Sequence, residues 1–106
     1  MNGDFLEMIK TRRSTRSFKP DYIPEDLLDA VLEAGTYAPT GMNRQSPVII
    51  AVSDKKYREK LSKLNAAIMG VDKDPYYGAP TVVLVLADPS ANTFVEDGSC
   101  VLENMM

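Results

Sequence analysis

Apolar residues recur at helical spacing in four stretches of the chain and run together without alternation in two others. Phe5, Met8 and Ile9 stand at i, i+3 and i+4, one helix stripe. Asp4 with Glu7 has the form of a capping box, so this helix is expected to start there and to run to Arg12 or Arg13. Phe18-Lys19-Pro20 leads out of it in an extended or turning conformation, since the residue before a proline avoids helical angles. Leu27, Leu28, Val31 and Leu32 form the buried face of a second helix, with Pro24 at its first position and Gly35 at or near its end. Tyr57, Leu61, Leu64 and Ile68 repeat along a third helix, capped by Ser53 or Asp54, with Lys and Glu on the solvated face. A fourth begins near Thr93 and carries Val95, Ser99, Leu102 and Met106 on one face, weakened by Gly98.

The run Val48-Ile49-Ile50-Ala51-Val52 reads as a strand buried on both faces, and Thr81-Val82-Val83-Leu84-Val85-Leu86-Ala87 as a central strand. Residues 37–47 and 70–78 are rich in turn formers and are expected to be loops. The fourth helix runs to Met105-Met106 with no Gly, Pro or basic residue to close it. Two strands are too few for a self-sufficient sheet of this kind, and the expectation is a piece of a longer protein.

Composition narrows the function. A chain of 106 residues suits a single domain over 1–106. Its net charge of −3 argues against nucleic acid as the main partner, because phosphate backbones call for an excess of positive charge. No apolar run approaches a membrane span and no signal-peptide pattern is present. The single cysteine, Cys100, allows no intrachain disulfide; a reducing compartment, most simply the cytoplasm, is expected. The absence of histidine excludes histidine triads, histidine–zinc sites and histidine bases, so the reactive chemistry of an enzyme would belong to a cofactor.

Two segments carry chemical content. Arg12-Arg13-Ser14-Thr15-Arg16-Ser17 crowds three guanidinium groups together on an acidic chain. An anion among them would relieve the repulsion, and the arginine fork matches phosphate, with Ser14 and Thr15 adding hydroxyl donors. The other reading is a basic, solvated helix end that complements the helix dipole. Pro39-Thr40-Gly41-Met42-Asn43-Arg44-Gln45 supplies amides able to read the edge of a planar heterocycle, a hydroxyl at Thr40 and a glycine that permits close backbone approach. A polar turn joining a helix to a strand is the alternative. Elsewhere, Cys100 is expected as a small buried helix residue, the methionines as core filler, and Tyr76 and Tyr77 as loop anchors. Asp72 and Asp74 do not match a calcium loop, and Glu96, Asp97 and Glu103 read as helix surface and N-terminal charge.

In this order, the two segments resemble the FMN-dependent nitroreductase family. Ala38 and Ser46-Pro47 extend the second motif, and Tyr77-Gly78-Ala79-Pro80 before an apolar strand and the acidic start near Glu96-Asp97-Gly98-Ser99 add to the likeness. The resemblance covers essentially all of this chain but only the N-terminal part of the family's domain. It implies an α+β fold, a central β-sheet flanked by helices, assembled as an intertwined homodimer with FMN at the subunit interface. Arg12, Arg13, Ser14 and Arg16 would hold the phosphate and ribityl end. Pro39, Thr40, Asn43 and Gln45, with Gly41 allowing close approach, would meet the flavin from the partner subunit. The implied activity passes a hydride from NAD(P)H through the flavin to a nitroaromatic, a quinone or a similar acceptor, with no catalytic side chain and no metal. The alternatives are an incomplete fragment that keeps only a phosphate or flavin site, and a related flavoenzyme such as a dehalogenase. Thr40 stands where many members have serine, and the aromatic that often follows the Gln-Pro pair is replaced by the order Gln45-Ser46-Pro47-Val48.

Overall fold

The computed structural model describes residues 3–106, which fold as α1 (Gly3–Thr11), α2 (Glu25–Thr36), a 3-10 turn (Gly41–Asn43), β1 (Val48–Val52), α3 (Lys55–Met69), β2 (Val82–Leu86) and α4 (Phe94–Met105). Helices and a small sheet give the α+β class. β1 and β2 pair antiparallel with Ile50 opposite Leu84 at the centre of the register. α4 packs against α2 on one side and β2 on the other. The α2–α4 contact closes over Gly35, where an added Cβ would lie 2.8 Å from Ile49 Cδ1 and 3.0 Å from Met105 Cγ. Asn104 Nδ2 ties the same helices by donating to the Ala34 carbonyl at 3.0 Å.

Local signals set the element ends closely. Asp54 caps α3, its carboxylate accepting from Lys56 N at 2.9 Å and Tyr57 N at 3.4 Å. Gly70, at φ 71°, ends the helix in the left-handed region, and Val71 N returns to the Ala66 carbonyl at 3.0 Å. Pro24 is the N-cap of α2 rather than its first helical residue, and Asp4 lies inside the first turn of α1, which begins at Gly3.

The buried faces differ from the expected ones. In α3, Ile68 is 86% exposed and Tyr57 and Leu64 are also exposed, while the buried line is Arg58, Ser62 and Ala66. The inner face of α3 meets the polar loop that follows it, so it carries donors for that loop instead of aliphatic groups. In α4 the expected stripe of Val95, Ser99, Leu102 and Met106 is exposed, and Asp97 and Val101, on the opposite side, face inward. The two-faced burial expected of β1 and the central position expected of β2 are likewise not met. Val48, Ile50 and Leu86 remain exposed, because the described sheet has two strands. Phe5, Met8 and Ile9 of α1 and Leu27 of α2 are also exposed. The most buried apolar positions are Ala66 in α3, Val82 in β2, Ala91 in the loop before α4 and Val101 in α4.

Candidate functional site

The turn of residues 39–45 is held in an uncommon backbone conformation. Met42, Asn43 and Gln45 take φ values of 55°, 55° and 54°. Asparagine tolerates this left-handed region, but methionine and glutamine populate it rarely, at about 1–3 kcal/mol each. Internal bonds offset part of that strain. Thr40 Oγ1 accepts from Gln45 N at 2.9 Å, Gln45 Nε2 donates to Asn43 Oδ1 at 3.0 Å, and Asn43 N reaches the Thr40 carbonyl at 3.1 Å.

The attachment of this turn to the body comes from α4. Asp97, 3% exposed, accepts from Gly41 N at 2.9 Å through one carboxylate oxygen and from Thr93 Oγ1 at 3.0 Å through the other. Hydrogen bonds to an ionised acceptor are roughly twice as strong as neutral ones. Arg44 Nη1 adds a longer bond to Asn92 Oδ1 at 3.3 Å. The close approach demands glycine at 41: a Cβ there would overlap the Thr93 hydroxyl and stand 2.9 Å from Thr93 Cγ2. Asp97, expected as surface charge, is therefore a buried acceptor serving a segment 56 residues away in sequence. Its one signal in the sequence is the i, i+4 spacing from Thr93, which lets a hydroxyl and a carboxylate meet across the first turn of the helix.

Thr40 and Gln45 line a cavity of about 270 Å³ together with Gly35, Ala38, Pro47, Ile49 and others. Beside it, Ser46 Oγ is buried with no hydrogen-bond partner. Among the described residues Asn43 Nδ2 makes no hydrogen bond either, so the turn keeps amide and hydroxyl groups free for a ligand.

The basic segment is built differently. Residues 12–17 are exposed and without regular structure. Arg13 Nη1 folds back onto the carbonyls of Lys10 and Arg12, both at 2.9 Å, and so closes the C-terminus of α1. Arg12, Ser14 and Arg16 make no hydrogen bond or ion pair among the described residues. Arg12 lines a cavity of about 320 Å³ with Phe5, Met8, Ile9, Glu103, Asn104 and Met106, and that cavity shares no residue with the one lined by Thr40 and Gln45. The turn residues are thus brought together by the fold, whereas among the described residues no hydrogen bond or ion pair links Arg12, Arg13 or Arg16 to them.

A second polar cluster organises the approach to β2. Arg58, 5% exposed, donates from Nη2 to Asp74 at 2.5 Å and from Nε to the Ala79 carbonyl at 2.7 Å, with the Tyr76 ring 5.4 Å from its guanidinium. Asp74 also accepts from Ser62 Oγ, Tyr76 N and Gly78 N. The Arg58 bond above all, then the two amides and the serine, hold the Asp74 carboxyl well below the usual carboxylate range. The same partnership raises Arg58. This network fixes Tyr77 and Gly78 at φ 56° and 77°, the turn that delivers Ala79-Pro80 to the strand. Asp74 is thus the shared acceptor that organises this loop. Cys100, expected to be buried, is exposed. Among the described residues no group of acidic, cysteine or histidine side chains could hold a metal ion, and no helix is long and apolar enough to cross a membrane.

The sequence model of the nitroreductase family matches residues 9–105. This chain belongs to the nitroreductase family. A relative from Methanothermobacter thermautotrophicus, described as a candidate NADH dehydrogenase/NAD(P)H nitroreductase, is 31% identical over 107 residues, covering 97% of this chain and 53% of that protein. The solved structure of a nitroreductase with bound FMN from Bacteroides fragilis superposes with a TM-score of 0.87 at 34% identity, over 98% of this chain and 63% of that one. A second nitroreductase with bound FMN, from Desulfitobacterium hafniense, gives 0.86 at 28% identity, over 99% and 63%. The chain therefore spans about half the length of the curated relative and under two thirds of the solved structures, and within that span its fold is the nitroreductase fold. Both motifs fall inside the nitroreductase match, as do Arg58, Asp74, Thr93 and Asp97.

Proposed function

We propose that this chain is the portion of an NAD(P)H-dependent flavin oxidoreductase that grips FMN, with the basic segment at the phosphate and the 39–45 turn at the ring. The observation that carries the reading is the turn itself: a strained, braced loop with a free asparagine amide, a threonine hydroxyl and a buried, unpartnered Ser46 Oγ beside it. That donor set fits a flat, charge-free heterocycle with acceptors on its edge, and the free Arg12 and Arg16 with Ser14 fit a phosphate. The names of the relatives support the same chemistry, since two of the solved neighbours are described with FMN bound.

In this reading Arg12, Arg16 and Ser14 bind the phosphate, while Arg13 braces the end of α1 so that its neighbours stay aligned. Pro39, Thr40, Asn43 and Gln45 orient the ring, and Gly41 keeps the turn close to α4. FMN, when bound, would carry the hydride from NAD(P)H to a nitroaromatic, a quinone or a similar acceptor. With no bond between the two segments among the described residues of one copy, the reading includes a homodimer in which the basic segment of one chain faces the turn of the other. Residues 1–106 would form part of a single, longer domain, in a reducing, cytoplasmic setting. Purified protein mixed with FMN should turn yellow at one flavin per chain and oxidise NAD(P)H when an acceptor is added. A colourless protein after desalting and no NAD(P)H oxidation would refute the proposal; flavin retained without turnover would favour a binding piece that lacks catalysis.

A further inference from the structure

We infer that Asp97 is the positioning residue of the flavin-facing turn, an inference that rests on the flavin reading above. The bonds among Thr40, Asn43 and Gln45 fix the internal shape of the turn but not its place on the protein. Its place is set by α4. Asp97 binds the Gly41 amide at 2.9 Å with one oxygen and is itself oriented by Thr93 Oγ1 at 3.0 Å through the other. The carboxylate is 3% exposed, so water cannot readily replace either partner. Gly41 admits this approach because it has no Cβ to meet Thr93. The next attachment, Arg44 to Asn92, is longer and exposed and holds the far side of the turn. Asp97 thus acts on the ring through Gly41 and its two neighbours, Thr40 and Met42, without touching the ring itself.

The test uses the whole chain and FMN. Asp97→Asn keeps the shape of the side chain and removes its charge, and Thr93→Val removes the hydroxyl that orients it. Flavin fluorescence quenching gives the FMN Kd, and amide hydrogen exchange by NMR compares Gly41 with the interior amides of α3. For Asp97→Asn we expect Gly41 exchange to quicken and the FMN Kd to rise, each by about tenfold, with α3 amides unchanged. Thr93→Val should move both readouts the same way by about threefold. Should Asp97→Asn fail to fold, the Thr93→Val pair of readouts decides the matter alone. An FMN Kd within twofold of wild type despite faster Gly41 exchange overturns the positioning role. So does a weakened Kd with Gly41 exchange unchanged. Wild-type protein that binds no FMN overturns the flavin reading, and the positioning role with it, while Gly41 exchange still reports separately on the Asp97 bond.

Discussion

Replacing Asp74 with alanine removes the acceptor from which the loop before β2 hangs. The carboxylate takes bonds from Arg58 Nη2 at 2.5 Å, Ser62 Oγ at 2.9 Å, and the amides of Tyr76 and Gly78 at 3.1 and 2.8 Å. In Asp74→Ala, Arg58, only 5% exposed, would keep its bond to the Ala79 carbonyl and a longer ion pair to the exposed Glu59 carboxylate at 3.7 Å, and lose its hydrogen-bonded counter-ion. Breaking a buried pair from one side costs about 3–5 kcal/mol. The Asp74 side chain keeps 30% of its exposure, so solvent already screens part of the attraction; we therefore expect the lower end, about 3 kcal/mol. For a chain this size the urea dependence is about 1–1.5 kcal/mol per molar, so the midpoint followed by far-UV circular dichroism should fall by about 2–3 M. A pH dependence accompanies it. The fold lowers the Asp74 pKa, chiefly through Arg58, so the unfolded chain takes up this proton first. The stabilisation is complete above the ordinary aspartate value of 3.8 and is lost as pH falls from there toward the folded value. Wild type should thus lose more stability than Asp74→Ala below about pH 4. A midpoint shift under about 0.5 M at neutral pH would show that Arg58 finds its compensation elsewhere and would refute the argument.

Further outcomes follow from single positions. Gly41→Ala should destabilise by about 1–3 kcal/mol through overlap with Thr93, and adding Thr93→Ala should restore part of it; equal melting of the single and double variants would contradict the clash. Gly70→Ala meets no atom within 4 Å, yet should lower stability by about 1 kcal/mol from its φ of 71° alone, measured by urea titration. Arg12→Ala and Arg16→Ala should each weaken FMN binding by about tenfold in a quenching titration. Arg13→Ala, whose guanidinium already serves the end of α1, should weaken it by no more than about threefold, and a larger effect there would place Arg13 at the phosphate directly.

Element positions were legible because their signals are local. Asp54 and Gly70 bound α3 by the hydrogen bonds and backbone freedom expected of an N-cap and a left-handed terminus, and both apolar runs are strands. The buried faces were not legible. Periodicity reports where apolar groups are, not what lies opposite them, and in α3 and α4 the inward positions include Arg58, Ser62 and Asp97, whose partners are remote in sequence. The apolar stripes of those helices point outward in one copy of the chain, a fact that depends on which surfaces are near and which no single helix encodes. At the site, the turn at 39–45 stood out by its residue types, while the carboxylate that anchors it looked like an ordinary first-turn acid. The arginine cluster was legible as a group, but not that Arg13 would turn back on its own helix.

The absence of a side chain at Gly41 ties two distant positions into one evolutionary unit. With Thr93 filling the space a methyl group would need, a descendant of this sequence that enlarges residue 41 must first shrink residue 93, and one that loses the Thr93 hydroxyl leaves Asp97 with a spare lone pair in a dry place. Drift at 41, 93 and 97 is therefore obliged to be concerted, and the order in which the three change is restricted to the few routes that never crowd the turn.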